Sequence, residues 1–228
     1  MNSTIPPFNI VVDKAEQFMR NFLTGDLIQI ISRKADFVTF GVDIFDNVGI
    51  CDYYNRKNLK KFEKHVELVS TFDTKQQKFT CWTGKSYPYD DVQKNTLLYC
   101  RDIESHFQYF GQTPVLVLGC HDLNIFSSRS LKSSKPTTYK GKLIAEMQKK
   151  CDEFKPQMVL HHPHTTDSLL IWNKAWSGVR KFIPSVKMYS SGIHYQYIKD
   201  GVNYAQRQPL NKVLPATALG NVENTIIH

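Results

Sequence analysis

Three histidines and an aspartate crowd the run Leu160-His161-His162-Pro163-His164-Thr165-Thr166-Asp167-Ser168. Imidazole and carboxylate are the usual ligands of first-row metals and the usual proton carriers near neutral pH. The run lies between an apolar stretch and the start of an amphipathic segment. In open α/β folds, the passage from a strand end to a helix N-terminus is where ligands bind. A plainer account is a capped turn whose histidines hydrogen-bond to backbone. Two other segments carry similar chemistry, Cys120-His121-Asp122-Leu123-Asn124 and Ser190-Ser191-Gly192-Ile193-His194. Each follows an apolar run.

The elements around these segments explain how they could meet. Pro114 to Gly119 (PVLVLG) reads as a strand covered on both faces. Gly141 to Phe154 reads as a helix, Gln157 to Leu160 as a strand, Ser168 to Phe182 as a helix and Val186 to Tyr189 as a strand. Trp172 and Trp176 fall on the buried stripe of the second helix and read as core. This βαβαβ alternation predicts parallel strands with right-handed crossovers, whose C-terminal ends converge on one sheet edge. Asp122, His162 and His194 are then expected on a common rim. The first half reads as a helix over Asp13–Leu23, a hairpin of strands over Asp26–Ser32 and Asp36–Ile44, and a helix over Asn58–Ser70. A strand over Lys78–Trp82 and a mostly helical stretch over Asp91–Phe110 follow. His65 and His106 fall in these helices and receive no role.

The chain has 228 residues and carries a net charge of +8. We expect one α/β domain over 1–228: a mainly antiparallel half to about 112, a βαβ half over about 113–205, and a C-terminal arm. The positive charge fits a nucleic acid or a phosphorylated ligand. Lys132 and Lys135 stand out because they sit in a Ser-rich loop after a candidate site strand, whereas Lys142, Lys149 and Lys150 read as a solvated helix face. Five dispersed cysteines without Cys-x-x-Cys spacing suggest reduced thiols in a cytoplasmic protein. No apolar run reaches the roughly 18 residues of a membrane span, and Met1–Asn9 lacks a signal-peptide pattern. Gly84-Lys85-Ser86 lacks the upstream glycine of a phosphate loop.

The order of elements resembles the metallo-β-lactamase fold, in its competence and nuclease-like branch. The resemblance runs through Gly25-Asp26-Leu27-Ile28, Phe37 to Asp43 and Phe79-Thr80-Cys81-Trp82, and covers roughly 25–200. It implies an αββα sandwich. The family's His-x-His-x-Asp-His metal motif is matched only by Tyr87-Pro88-Tyr89-Asp90-Asp91-Val92, which keeps Asp91 and replaces both leading histidines with tyrosine. Asp122 is similar to the bridging aspartate, and His162 to the final histidine. Neutral phenols do not replace imidazoles around zinc. Gly119-Cys120-His121-Asp122, Leu160 to Pro163 and Gly192-Ile193-His194 also look like later motifs of calcineurin-like phosphoesterases. Cys120 stands where that family needs asparagine, and its early Asp-x-His is absent.

Three readings follow. The favoured one is non-catalytic: a binding or regulatory module for a nucleotide, nucleic acid or protein partner, with Tyr87, Tyr89, Asn124, Thr165, Thr166, Asp167, His194, Lys132 and Lys135 facing the ligand. It needs no cofactor. The second is a phosphodiester hydrolase or nuclease with one divalent metal, Zn or Mn, drawn from Asp91, His121, Asp122, His161 and His162. The third keeps catalysis without metal, with His162 or His164 as general base oriented by Asp167. In either catalytic reading, His162, Asp122 and His164 carry the chemistry.

Overall fold

The computed structural model describes residues 8–45, 65–88, 102–163, 169–191, 197–199 and 202–204. The chain is mixed α/β and divides into two units, 1–105 and 106–228. No described helix is long and apolar enough to cross a membrane.

In the first unit, helix α1 (Phe8–Phe22) and helix α2 (Gly25–Ser32) precede strands β1 (Phe37–Phe45), β2 (His65–Asp73) and β3 (Lys78–Gly84). The strands form an antiparallel sheet in the order β1-β2-β3. Val11, Ala15 and Met19 recur every four residues along α1 and are buried. Val11 and Ala15 join Leu68 in a core cluster, with Val42 and Trp82 packed against it. Trp82 Nε1 donates to Glu16 on α1 at 3.2 Å.

Two expectations are corrected here. Asp26–Ser32 is helical, because Thr24 caps it by accepting from Leu27 N at 3.4 Å and Asp26 occupies the first turn. The expected hairpin with the following strand therefore does not form. The helix expected over Asn58–Ser70 is replaced, within its described part, by β2. That strand is central, and Leu68 to Asp73 are buried on both faces, which erases the polar alternation that would have marked it as a strand.

The 3-10 turn Ile103–His106 leads to β4 (Phe107–Phe110), another correction to an expected helix. Gly111, at φ +62°, makes the two-residue turn that pairs β4 antiparallel with β5 (Thr113–Leu118). His106 is fully buried and bonds through Nδ1 to the Val117 carbonyl at 2.6 Å, so it holds the sheet. After β5 come a 3-10 turn (Asp122–Phe126), α3 (Ser128–Ser133), α4 (Tyr139–Phe154), β6 (Met158–His161), α5 (Leu169–Phe182) and β7 (Met188–Ser191). A short antiparallel pair, β8 (Tyr197–Lys199) and β9 (Val202–Tyr204), follows.

The sheet order is β4-β5-β6-β7, with β5, β6 and β7 parallel. The βαβαβ expectation therefore holds, and β7 starts two residues later than expected. Val115 to Leu118 are completely buried. Leu143, Ile144, Met147 and Cys151 supply the buried stripe of α4, and Trp172, Ala175, Trp176 and Val179 that of α5. Burial pushes the Cys151 thiol up to about 12, with Asp152 adding to the effect, which makes it an inert core residue.

Gly178 on α5 lies where a Cβ would come within 1.9 Å of the Phe126 carbonyl oxygen. This close approach seats the 3-10 turn on α5. Gly178→Ala is expected to cost about 1–3 kcal/mol in urea unfolding, because backbone must move. Gly25→Ala, with open space around its Cβ, is expected to cost nothing or to stabilise slightly.

Candidate functional site

The parallel register sets Leu118, His161 and Ser191 level with one another. The three C-terminal strand ends thus form one edge. Gly119 to His121 leave that edge from β5, and His162 leaves it from β6. The His162 amide donates to the Leu118 carbonyl at 3.0 Å, which fixes where its side chain starts.

His161 is the centre of this edge. Its ring is 1 % exposed and lies against Trp172 and Trp176, with centroids 5.3 and 5.9 Å away. Nε2 sits 2.9 Å from the Cys120 carbonyl, and Nδ1 sits 3.2 Å from Ser191 Oγ. A carbonyl only accepts, so Nε2 carries the proton and Nδ1 accepts from the serine hydroxyl. Burial lowers its pKa from 6.5 to about 3, against the opposing effect of the Cys120 hydrogen bond. The ring is neutral, has one tautomer, and links all three strand ends.

Asp122 is also consumed by the fold. It is fully buried, and its Oδ2 accepts from Gly119 N at 2.9 Å while its own amide donates to the Gly119 carbonyl at 3.2 Å. This reciprocal pair closes the turn after β5. His121, Cys120, Asn124 and His162 remain partly exposed around it. Burial lowers His162 as well, to about 4. Its remaining solvent contact makes its neutral form less strictly enforced than that of His161.

The edge therefore gathers His121, Asp122, His161 and His162 from the expected set, with Asn124 beside them. Lys132 is exposed on α3, and Lys135 is exposed just beyond it. Tyr87 belongs to the first unit, where it is 7 % exposed. Tyr89, Asp91, His164, Thr165, Thr166, Asp167 and His194 lie outside the described residues. Of the rim expected from Asp122, His162 and His194, Asp122 lies in the turn after β5, His162 follows the neighbouring parallel strand β6, and His194 lies outside the described residues. Among the described residues, no three His, Cys, Asp or Glu side chains converge to hold a metal ion. A metal on His161 would have to displace Ser191 or Cys120 from its ring.

Ser191, expected in a loop because the strand was expected over Val186–Tyr189, instead ends β7 and partners His161. Level strand ends would have put it opposite His161. Lys85, of the discarded phosphate-loop tail, is buried in an ion pair with Glu67 at 2.8 Å, with both side chains under a tenth exposed.

The clasp has a pH signature. Unfolded His161 takes a proton near its ordinary 6.5, whereas the folded ring resists until about 3. Stability is complete above the upper value and falls as pH drops toward the lower one, by up to about 1.4 kcal/mol per pH unit. Urea unfolding at pH 7 and pH 5 should therefore show a loss of roughly 2 kcal/mol attributable to this ring. His161→Gln, which keeps a donor for Cys120, should be less stable at pH 7 and lose less on acidification.

Searches against protein-family models, curated proteins and solved structures found no match to this chain.

Proposed function

We propose that the chain is a non-catalytic binding module, built on a metallo-β-lactamase-like αββα scaffold with a degenerate metal motif. It takes a phosphate-bearing small ligand, a nucleotide by class, at the C-terminal edge of β5, β6 and β7. The observation that carries this reading is the commitment of both His161 ring nitrogens to Cys120 and Ser191. The neighbouring Asp122 carboxylate turns back on Gly119 in the same way. Two groups that hydrolytic chemistry would need are thereby spent on architecture. His121, Asn124 and His162 keep solvent access beside them and supply hydrogen-bonding groups suited to recognition. The replacement of the motif histidines by Tyr87 and Tyr89 points the same way.

The test pairs calorimetry with elemental analysis on untagged protein. Nucleoside mono-, di- and triphosphates are titrated into the wild type and into His121→Ala/His162→Ala. We expect binding that the double variant weakens about tenfold or more, which is about 1.4 kcal/mol, and metal well below one equivalent. Stoichiometric zinc or manganese, with chelator-sensitive hydrolysis of a model phosphodiester, would overturn the proposal in favour of the hydrolase reading.

A further inference from the structure

The charge of this protein is carried by one unit. Residues 1–105 hold 14 Lys and Arg against 14 Asp and Glu, whereas residues 106–228 hold 15 against 7, so the second unit carries the whole +8. Within that unit, the run from Leu123 to Ala145 contains five basic residues and no acidic one. Arg129, Lys132 and Lys135 are exposed, and no ion pair engages them among the described residues. The contrast lies further along α4, where Lys149 and Lys150 share Glu153 at 3.7 and 4.0 Å.

The run is held in a fixed shape. Ser127 caps α3 by accepting from Ser130 N at 3.1 Å, and Thr138 caps α4 by accepting from Gly141 N at 3.2 Å. A Cβ on Gly141 would meet the Lys135 carbonyl oxygen at 2.1 Å, so the first turn of α4 folds back against Lys135. Arg129 and Lys132 stand three apart on α3 and share a face. Arg129 and Lys132 are thus held on one face of α3, and Lys135 follows three residues later at the turn into α4. Ser128, Ser133 and Thr137 are exposed among them as hydroxyl donors.

We propose that this face, centred on Arg129, Lys132 and Lys135, binds the sugar-phosphate backbone of a nucleic acid. It goes beyond the nucleotide edge described above, being a second surface with its own partner. Composition selects that partner. The run has no exposed large hydrophobic side chain. An anionic membrane surface or an acidic peptide would draw added affinity from apolar anchors, which this run does not offer. A phosphate backbone needs only cations and hydroxyl donors.

The experiment follows anisotropy of a labelled oligonucleotide of about twenty nucleotides, single-stranded and duplex, between about 50 and 200 mM KCl. Arg129→Glu/Lys132→Glu/Lys135→Glu is compared with Lys149→Glu/Lys150→Glu/Lys155→Glu, which removes the same charge elsewhere on the unit. The expected result is at least about tenfold weaker binding by the first variant, with a salt slope shallower by roughly two to three. The second variant should change affinity only slightly. The glutamine triple at the first three positions, which retains helix formers, should also weaken binding and flatten the slope. Equal losses in both glutamate variants would overturn the proposal by reducing it to net charge. So would a wild type that binds no oligonucleotide, or one that prefers anionic phospholipid vesicles. Oligonucleotide binding by His121→Ala/His162→Ala separates the two sites, because the basic face is intact in that variant and should still bind.

Discussion

A neutral imidazole holding three strand ends together is the constraint on which the second unit depends. His161 reaches one neighbour through the Cys120 carbonyl and the other through Ser191, in an aromatic setting made by Trp172 and Trp176. The arrangement works only with the proton on Nε2, since the carbonyl cannot donate. Desolvation favours the uncharged ring, and the hydrogen bonds then select its tautomer. A buried polar group satisfied on both sides is stabilising, whereas the same group half satisfied would be costly. The chain thus turns a residue type associated with catalysis into a cross-strand tie.

What the tie leaves exposed determines what the edge can do. With His161 and Asp122 facing inward, the partly exposed groups at the strand ends include, among the described residues, His121, Asn124, Cys120 and His162. Cys120, His121 and Asn124 stand on a stiff frame, since the turn bearing them is pinned by the Gly119–Asp122 pair and seated on Gly178, whereas His162 is placed by the end of β6. Such a surface favours recognition, and the adjoining Arg129–Lys135 face adds charge without adding apolar area. Geometry and electrostatics therefore sit on neighbouring stretches of one chain segment.

The βαβαβ half was legible in the sequence because its signals agree with one another. PVLVLG is a buried strand by composition, and the α4 and α5 stripes have clear helical spacing. Parallel pairing follows from the alternation. The first half misled for physical reasons. Leu27, Ile28, Ile30 and Ile31 favour a strand by type, yet Thr24 and Asp26 start a helix that ends about two turns later. β2 hides its period of two because both faces are covered. The β4–β5 turn, Gly111-Gln112, is a hairpin signal that a presumed long helix obscured.

The candidate site was legible as a place and illegible in its roles. Strand order alone puts Asp122, His161 and His162 at one edge. Which of them face inward depends on hydrogen bonds a residue pattern does not encode. The most direct measurement of the central claim is long-range nitrogen–proton NMR of the histidine rings across pH 8 to 5, with and without added zinc. The account expects His161 to stay neutral with its proton on Nε2 throughout, and to be unmoved by the metal. A ring that titrates near its ordinary 6.5, or whose nitrogen shifts on zinc addition, would contradict it.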